Sequence, residues 1–298
     1  MLDVLDKLKE KLNFKIYVAH INHMIREEAD SETEYVKEFC KKLNIECFVK
    51  KIDVIKIAEE EKKGTEEIGR EIRYRFFEEV LKKTGSNKIA TAHNNNDKVE
   101  TIIMNMLRGS GVSGLKGIEP IRDNKFIRPL IEIERADIEE YCRTKSLNPK
   151  IDKSNNENIY TRNKVRNVVI PYIKKEFNPN IIKTVNRLSE VATEENEYLN
   201  KRVEEIFNKL KIQSDIQSSI ALDLKGFNNL DLVIKRRLIL YTISKTIGST
   251  CGIEKINIDD IIKLCNNNIG NKYLMPNQKI KILVKKQKIF FIPNTDVP

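Results

Sequence analysis

The segment from Lys88 to Leu107 constrains the fold more than any other part of the chain. The mostly apolar run 88–92 gives way to a polar stretch, 93–101, and apolar residues then return at helical spacing. This order predicts a strand, a loop and a helix, so the polar stretch lies at the carboxyl end of a strand. In a parallel α/β sheet, that edge is where ligands bind, and helix N-termini there offer unpaired N–H groups that attract phosphate.

The polar stretch carries groups that suit a magnesium nucleotide. His93, Asp97, Glu100 and Thr101 combine an imidazole, two carboxylates and a hydroxyl; Mg²⁺ prefers carboxylate oxygens, while phosphates prefer N–H, Arg and Lys donors. A plainer interpretation fits the same residues, because Asp97 could cap the helix while Glu100 completes a capping box. A second polar cluster at 20–23 also ends a short apolar run. Two such strand ends favour a ligand site over simple caps.

Helices and strands alternate in the first half of the chain. The patterns predict helices at 2–12, 31–43 and 65–84, the last ended by Gly85, and strands at 15–21, 45–52 and 88–92. This βαβ order predicts a parallel, Rossmann-like sheet.

From about residue 135 the predicted elements are helices. They cover 135–147, 162–176 with a break at Pro171, 180–210, 231–247 and 257–267. Short β-rich runs at 280–284 and 288–292 predict a terminal β hairpin. The fold class is therefore α/β, with a mostly helical C-terminal part that ends in a short hairpin.

Composition narrows the class of protein. The chain has 298 residues, 40% of them hydrophobic, with a net charge of +10 that favours a polyanionic partner. A basic strip, defined as the Lys and Arg residues between 162 and 187, concentrates that charge. The five cysteines form no C-x-x-C pair, which argues against a zinc ribbon or a disulfide framework. With no apolar run of membrane-spanning length and no signal peptide, a cytoplasmic protein without a membrane partner is expected.

An ordered series of motifs runs through the first 190 residues. It consists of His20-x-Asn22-His23, Arg70-x-x-Arg73-Tyr74, Ala92-His93 through Glu100-Thr101, Leu107-Arg108-Gly109-Ser110-Gly111, Arg128-Pro129-Leu130, Asp152-x-Ser154-Asn155 and Tyr160-x-Arg162-Asn163-x-x-Arg166, followed by Pro171. In this order and spacing the chain resembles the tRNA(Ile)-lysidine synthetases, a family of N-type ATP pyrophosphatases with a PP-loop. The resemblance implies a PP-loop catalytic domain at 1–180, a linker helix at 181–210 and a tRNA-binding domain at 211–298.

One part of the family pattern is not found in these residues. Family members begin with a strand and a Ser-Gly-Gly-x-Asp-Ser loop whose amides hold pyrophosphate, whereas the 11 glycines here include no Gly-Gly pair. Met1 reads as the middle of the first helix, so the expectation is a sheet that lacks its N-terminal strand, through a miscalled start, a truncation or gene decay. The 298 residues alone are then expected to bind ATP weakly and to make little lysidine.

The resemblance implies a reaction and its partners. The family joins free lysine to the 2-position of the wobble cytidine in the CAU anticodon of an isoleucine tRNA, through an adenylated tRNA intermediate. ATP and Mg²⁺ are the implied cofactors, and tRNA(Ile) and lysine the implied partners; a homodimer is left open.

The resemblance also implies roles for particular residues. Asp97, Glu100, His93 and Arg70 are the expected catalytic residues, and Asp97 and Glu100 are also the expected metal ligands. The nucleotide is expected to contact His20, Asn22, His23 and Arg73, and the tRNA to contact Arg108, Arg162, Asn163 and Arg166. Plainer alternatives are an exposed arginine face for Arg70 and Arg73, satisfied buried polar groups at 20–23, and an ordinary basic helix at 162–175.

Two other functions fit the same residues. The first is sulfur transfer, as in the related tRNA thiolases, although the iron–sulfur enzymes among them carry C-x-x-C pairs that this sequence lacks. The second is a non-catalytic tRNA-binding remnant, an alternative that the missing loop leaves open.

Overall fold

A computed structural model describes residues 1–25, 28–150, 157–158, 160–267 and 272–294. The chain forms two compact units, Met1–Glu190 and Val191–Pro298, and the division between them falls inside one long helix. That helix spans Ile181–Leu210, as the apolar periodicity predicts. The assignment of a catalytic domain, a linker and a tRNA-binding domain to 1–180, 181–210 and 211–298 stays a prediction.

The N-terminal unit alternates helices and strands in the predicted order. Its helices are α1 (Leu2–Leu8), α2 (Ala29–Lys42), α3 (Val54–Glu61), α4 (Thr65–Thr84), α5 (Asn95–Leu107), α6 (Val112–Leu115), α7 (Arg135–Thr144), α8 (Thr161–Lys164), α9 (Ile170–Glu176) and the start of α10 (Ile181–Leu210). Its strands are β1 (Val18–Asn22), β2 (Cys47–Lys51), β3 (Ile89–Ala90), β4 (Ile121–Arg122) and β5 (Phe126–Ile127). The sequence patterns did not predict α3, α6, β4 or β5.

Strand pairing confirms the parallel α/β class. β1 pairs in parallel with β2, and β3 pairs in parallel with β5, which β4 flanks in antiparallel orientation. Within the described residues these are two separate sheets, and β1 is not hydrogen-bonded to β3. The polar cluster at 20–23 lies at the carboxyl end of β1, with His20 and Asn22 still inside the strand, and the polar stretch 93–101 comes soon after β3.

Burial of α5 fixes the helix that carries the predicted acids. Val99, Ile102 and Ile103 are at most 4% exposed, and they form one core with side chains of the segments that follow α7. These partners are Val165, Ile170, Ile182 and Val185. Removing such side chains from water stabilises the packing by about 2 kcal/mol each. The first turn of α5 is thereby held against the helical segment that begins at Thr161.

The helical segment after Tyr160 differs from the prediction at Pro171. We expected a break there, but α8 leads through a π-helical turn, Val165–Val169, directly into α9, with Pro171 in the first turn of α9. The Ile170 N–H donates to the Val165 carbonyl, five residues earlier. Proline has no N–H and its ring crowds the carbonyl four residues before it, so a wider turn relieves the conflict without ending the helix.

The C-terminal unit contains more strand than the sequence predicts. After α10 come α11 (Leu224–Asn228), α12 (Leu232–Ile247) and α13 (Lys255–Asn267), and the strands are β6 (Lys211–Ile212), β7 (Ile220–Asp223), β8 (Lys272–Asn277), β9 (Ile280–Lys285) and β10 (Lys288–Pro293). The predicted hairpin is present as β9 and β10, within a five-stranded antiparallel sheet of order β6-β7-β10-β9-β8. The inner face of this sheet shares a core with α12 and α13.

Candidate functional site

A cavity of about 460 Å³, called the central cavity below, opens beside the end of β3. Residues 90–93 form part of its wall, and the other described residues that line it come from α4, α5 and the segment after Tyr160. It brings together most of the predicted site residues, namely Arg70, Arg73, His93, Asp97, Arg162, Asn163 and Arg166. Three separate motifs of the sequence therefore meet at one place.

Asp97 has two roles in this geometry. The Asp97 N–H donates to Asn94 Oδ1 at 3.1 Å, and the Asn94 N–H donates to Asp97 Oδ2 at 2.9 Å, which makes a reciprocal capping box at the start of α5. The capping interpretation thus holds for Asp97, with Asn94 rather than Glu100 as its partner. The second oxygen, Oδ1, accepts from Arg162 Nη2 and Arg166 Nη2, both at 3.1 Å.

Glu100 is buried one turn further along α5, with a side chain 2% exposed. Arg166 binds it with two donors, Nε at 2.6 Å from Oε1 and Nη2 at 2.8 Å from Oε2, and Arg162 Nε donates to Oε2 at 2.9 Å. Burial opposes the charge of Arg166, but its hydrogen bonds to Glu100 and the two nearby carboxylates raise its pKa. We call Asp97, Glu100, Arg162 and Arg166 the acid–arginine cluster.

The acid–arginine cluster bears on the predicted metal site. Both carboxylates already bind arginine, and no group of three or more His, Cys, Asp or Glu side chains suited to a metal ion occurs among the described residues. Mg²⁺ requires about six oxygen ligands. In this arrangement the described residues alone do not fit a Mg²⁺ ion.

The surroundings of His93 beside the cluster disfavour its charged form. Its Nδ1 lies 2.9 Å from Thr91 Oγ1, and the ring lines the central cavity. Burial lowers the pKa of His93, and nearby arginines lower it further, while the charge of Asp97 acts in the opposite direction. A neutral imidazole can donate or accept one hydrogen bond to a bound base or phosphate without adding charge.

Arg70 rests on an aromatic side chain rather than on a plain helix surface. Its Cζ lies 4.9 Å from the ring centroid of Tyr74, which also lines the central cavity. The Tyr74 ring packs edge-on against Phe126, with centroids 5.0 Å apart. Stacking orients a guanidinium while leaving its N–H groups free to bind an anion.

The polar cluster after β1 lies apart from the lining of the central cavity. Asn22 Nδ2 donates to Asp30 Oδ1 at 2.7 Å and to Thr33 Oγ1 at 3.2 Å, and His20 Nε2 lies 3.2 Å from the same hydroxyl. For His20 and Asn22 the contacts match the alternative of satisfied buried polar groups. His23 reaches the cavity wall indirectly, because Arg73 Nη2 donates to its Nε2 at 3.3 Å. Nucleotide contact by these three residues stays a prediction.

Two further motifs lie elsewhere. Arg108, predicted to contact tRNA, lines a second cavity on the far side of Arg162. The Asp152-x-Ser154-Asn155 motif falls outside the described residues. Tyr74, Phe77 and Thr91 also line the central cavity, although none of them is among the site residues predicted from the sequence. The position of Tyr74 beside Arg73 on α4 was the available signal.

Comparison with known families identifies the fold of this site. Residues 1–173 match the family model described as the PP-loop domain. The chain belongs to the PP-loop family. The matched region of this PP-loop protein includes both sheets of the N-terminal unit, the central cavity and the acid–arginine cluster.

Several curated relatives are similar over most of the chain. It is 46% identical over 279 residues to a tRNA(Ile)-lysidine synthase of Clostridium acetobutylicum, covering 93% of this chain and 60% of that protein. The corresponding enzyme of Clostridioides difficile is 42% identical over 292 residues, covering 97% and 63%. The chain therefore spans about 60% of the length of the curated relatives it matches.

A solved structure shares the fold. The U34-tRNA thiolase NcsA from Methanococcus maripaludis, with its [4Fe-4S] cluster, superposes with a TM-score of 0.51 at 17% identity, covering 64% of this chain and 67% of that one. Separately, none of the helices in the described ranges is long and apolar enough to cross a bilayer.

His23 makes the stability of this PP-loop protein depend on pH. Burial, together with the nearby charges of Arg73 and His20, lowers the pKa of His23 from 6.5 to about 4. The unfolded chain therefore takes up a proton near pH 6.5 that the folded chain accepts only near pH 4. Stability should fall as the pH drops through this window, by about 1 kcal/mol from His23 after allowance for its partial exposure.

Urea unfolding of the wild type and of His23→Gln, each at pH 7 and pH 5, measures this contribution. We expect the wild type to lose more stability than the variant between the two pH values. An equal loss in both proteins would show that His23 titrates alike in the folded and unfolded states.

Proposed function

We propose that this PP-loop protein is a tRNA(Ile)-lysidine synthase. It would use ATP to join the ε-amine of lysine to the 2-position of the wobble cytidine in the CAU anticodon of tRNA(Ile). The curated relatives that are 42–46% identical over at least 93% of the chain bear this name. The observation that carries the proposal is the central cavity, where arginines from two helical segments face His93 and Asp97 at the end of β3.

The proposed reaction has two steps. The 2-oxygen of the cytidine attacks the α-phosphorus of ATP and expels pyrophosphate; the ε-amine of lysine then displaces AMP and loses a proton. Phosphate oxygens carry negative charge in both steps. The main tasks of the site are therefore to position the reactants and to neutralise that charge.

The cavity residues suit that requirement. Arg70, on its Tyr74 platform, would bind a phosphate of ATP or of the adenylated intermediate, and neutral His93 would donate or accept a hydrogen bond at the reacting base. Arg162 and Arg166 would add positive charge to the central cavity, and their hydrogen bonds to Asp97 and Glu100 fix the orientation of their side chains. We assign Glu100 a positioning role, since its carboxylate is buried against Arg166.

Mg²⁺ remains part of the proposal as the counter-ion of ATP. The phosphate groups would supply most of its oxygen ligands, because the described residues alone do not fit the ion. Asp97 lines the central cavity and could add one oxygen if an arginine moved aside.

Incorporation of radiolabelled lysine into tRNA(Ile) transcripts tests the function. Two proteins are compared, the 298 residues alone and the same residues preceded by a strand and a Ser-Gly-Gly-x-Asp-Ser loop. We expect at least about 100-fold faster incorporation by the second protein, because backbone N–H groups of such a loop bind the pyrophosphate that leaves. A transcript with a UAU anticodon is the control.

Lysine incorporation by neither protein, with tRNA(Ile) still bound, would favour the non-catalytic tRNA-binding alternative. Sulfur transfer is the weaker alternative. The thiolase structure shares only the fold, and the five cysteines of this chain are spread from Cys40 to Cys265 without a C-x-x-C pair. Cys40 and Cys265 are also buried, which raises the pKa of each thiol to about 12.

The exposed part of the basic strip should hold the tRNA backbone. Lys174 and Lys183 are exposed on α9 and α10, in contrast to Arg162 and Arg166, which turn inward to the carboxylates. Changing either lysine to glutamine should weaken the binding of all tRNAs alike. It should also reduce the slope of the logarithm of the binding constant against the logarithm of the salt concentration by about one unit per lost phosphate contact.

Filter binding of tRNA(Ile) and of the methionine tRNA over a salt series measures these slopes. Lys11→Gln, at an exposed position outside the strip, is the matched control. Unchanged slopes for Lys174→Gln and Lys183→Gln would place the phosphate contacts elsewhere on the protein.

A further inference from the structure

A second cavity, called the side cavity below, lies between α4, α5 and the start of α8 and has a volume of about 310 Å³. Its lining consists of Glu66, Thr101, Met104, Asn105, Arg108, Tyr160, Thr161 and Arg162. This volume is at the small end of the range for ligand pockets, which suits a molecule of amino-acid size better than a nucleotide.

The side cavity continues the line of the central cavity along α5. Asp97 lines the central cavity, whereas Thr101, Asn105 and Arg108 line the side cavity. At spacings of three and four residues these side chains share one face of the helix, which runs about 16 Å from Asp97 to Arg108. Arg162 lines both cavities and stands between them.

Opposite charges line the side cavity. Glu66, in the first turn of α4, supplies a carboxylate, and Arg108, the residue that ends α5, supplies a guanidinium. Both side chains are exposed, and among the described residues neither makes a salt bridge or a side-chain hydrogen bond. Glu66 does lie within electrostatic range of Arg73, whose charge it favours.

This pairing of charges matches the head group of a free amino acid. A guanidinium binds a carboxylate with two parallel hydrogen bonds, and a carboxylate binds an ammonium. Hydroxyl and amide groups of Thr101, Thr161 and Asn105 add polar partners.

We propose that the side cavity binds the amino-acid end of the lysine substrate. Arg108 would bind the α-carboxylate and Glu66 the α-ammonium, with the side chain directed past Arg162 so that the ε-amine enters the central cavity near Asp97. This assignment rests on the proposed function for the identity of the amino acid. It replaces the sequence-based expectation that Arg108 contacts tRNA.

RNA is the competing occupant, since Tyr160 is 48% exposed and could stack on a base. Two observations favour the amino acid. Glu66 would repel a phosphate group, and the side cavity is smaller than the central cavity, 310 against 460 Å³.

Calorimetric titration of the 298-residue chain, with and without ATP, tests the proposal. The ligands are L-lysine, cadaverine, which lacks the carboxylate, and Nα-acetyl-L-lysine, which lacks the α-ammonium. Arg108→Gln should lower the affinity for lysine by about 10- to 100-fold and leave the affinity for cadaverine unchanged. Glu66→Gln should lower the affinity for lysine by a similar factor and leave the affinity for Nα-acetyl-L-lysine unchanged.

Arg75→Gln and Glu67→Gln, both at exposed positions of α4, are the matched controls and should bind lysine as the wild type does. Wild-type affinity for lysine in both cavity variants would overturn the proposal, as would the absence of lysine binding to the wild type. Loss of tRNA binding alone would assign the side cavity to RNA. Lysine binding by the 298-residue chain, with no lysidine formed even by the protein that carries the added strand and loop, would instead contradict the proposed function and leave an amino-acid site.

Discussion

Replacing Glu100 with alanine should destabilise the N-terminal unit by about 3 kcal/mol. The substitution leaves Arg166, whose side chain is 17% exposed, without the carboxylate that accepts its Nε and Nη2 hydrogen bonds. Arg166 then keeps the more distant Asp97 carboxylate but loses the one it binds with two donors, and it stays desolvated, so its charge is poorly compensated. Urea unfolding, combined with hydrogen exchange at the amides of α5, measures the loss where the cluster lies. Glu67→Ala, at an exposed position, is the control for a lost carboxylate.

A double variant separates the charge from the packing. Glu100→Leu combined with Arg166→Leu removes both members of the main pair and should be more stable than Glu100→Leu alone, even though it carries one more substitution. If the double variant is the less stable of the two, an uncompensated Arg166 is not the source of the loss.

Sequence reasoning was sufficient for the elements that depend on residues close together in the chain. Gly85 adopts φ +66° as the residue that ends α4, as a glycine at the end of an apolar helical pattern predicts. The strand, loop and helix around His93 could be predicted because each depends on residues close in sequence. A polar stretch at the carboxyl end of a parallel strand lies at the edge of the sheet where ligands bind, and the central cavity is found at that edge.

The partners of the acids could not be read from the sequence in the same way. Arg162 and Arg166 belong to a run of basic residues that resembles a solvated helix face. Their inward direction depends on the contact between α5 and the segment from Thr161 to Val169, about 60 residues away in the chain. Pro171 shapes that segment, because the π-helical turn before it accommodates the proline ring. The local rule for proline predicts only that the regular α-helical hydrogen bonding is disturbed near this residue.

The C-terminal sheet illustrates a different limit. β9 and β10 are six residues each and mostly β-branched or aromatic, so local pattern suffices for the hairpin. β7 has four residues and β6 two, and they become strands because β10 and β7 offer backbone partners. β8 contains Pro276, a residue that weakens a strand assignment but is tolerated at the edge of a sheet, where β8 lies.

Asp97→Asn should lower the rate of lysidine formation by about 100-fold or more in the protein that carries the pyrophosphate loop. The asparagine can still accept a hydrogen bond from the Asn94 N–H, so the start of α5 is kept. It no longer places a negative charge against Arg162 and Arg166, whose hydrogen bonds Asp97 Oδ1 accepts in the wild type. Single-turnover kinetics and filter binding of tRNA(Ile) measure rate and affinity separately. The affinity should be unchanged or slightly higher, because a cavity with one carboxylate fewer is more positive.

Asn94→Ala distinguishes the two roles of Asp97. This variant removes the Asn94 Oδ1 acceptor of the capping box and should lower stability by about 1 kcal/mol, while both arginines keep their carboxylates. We expect its rate of lysidine formation to stay within a few-fold of the wild type. Equal rate losses in Asn94→Ala and Asp97→Asn would mean that Asp97 acts by starting α5. A large loss confined to Asp97→Asn would mean that the charge facing the arginines is what the reaction requires.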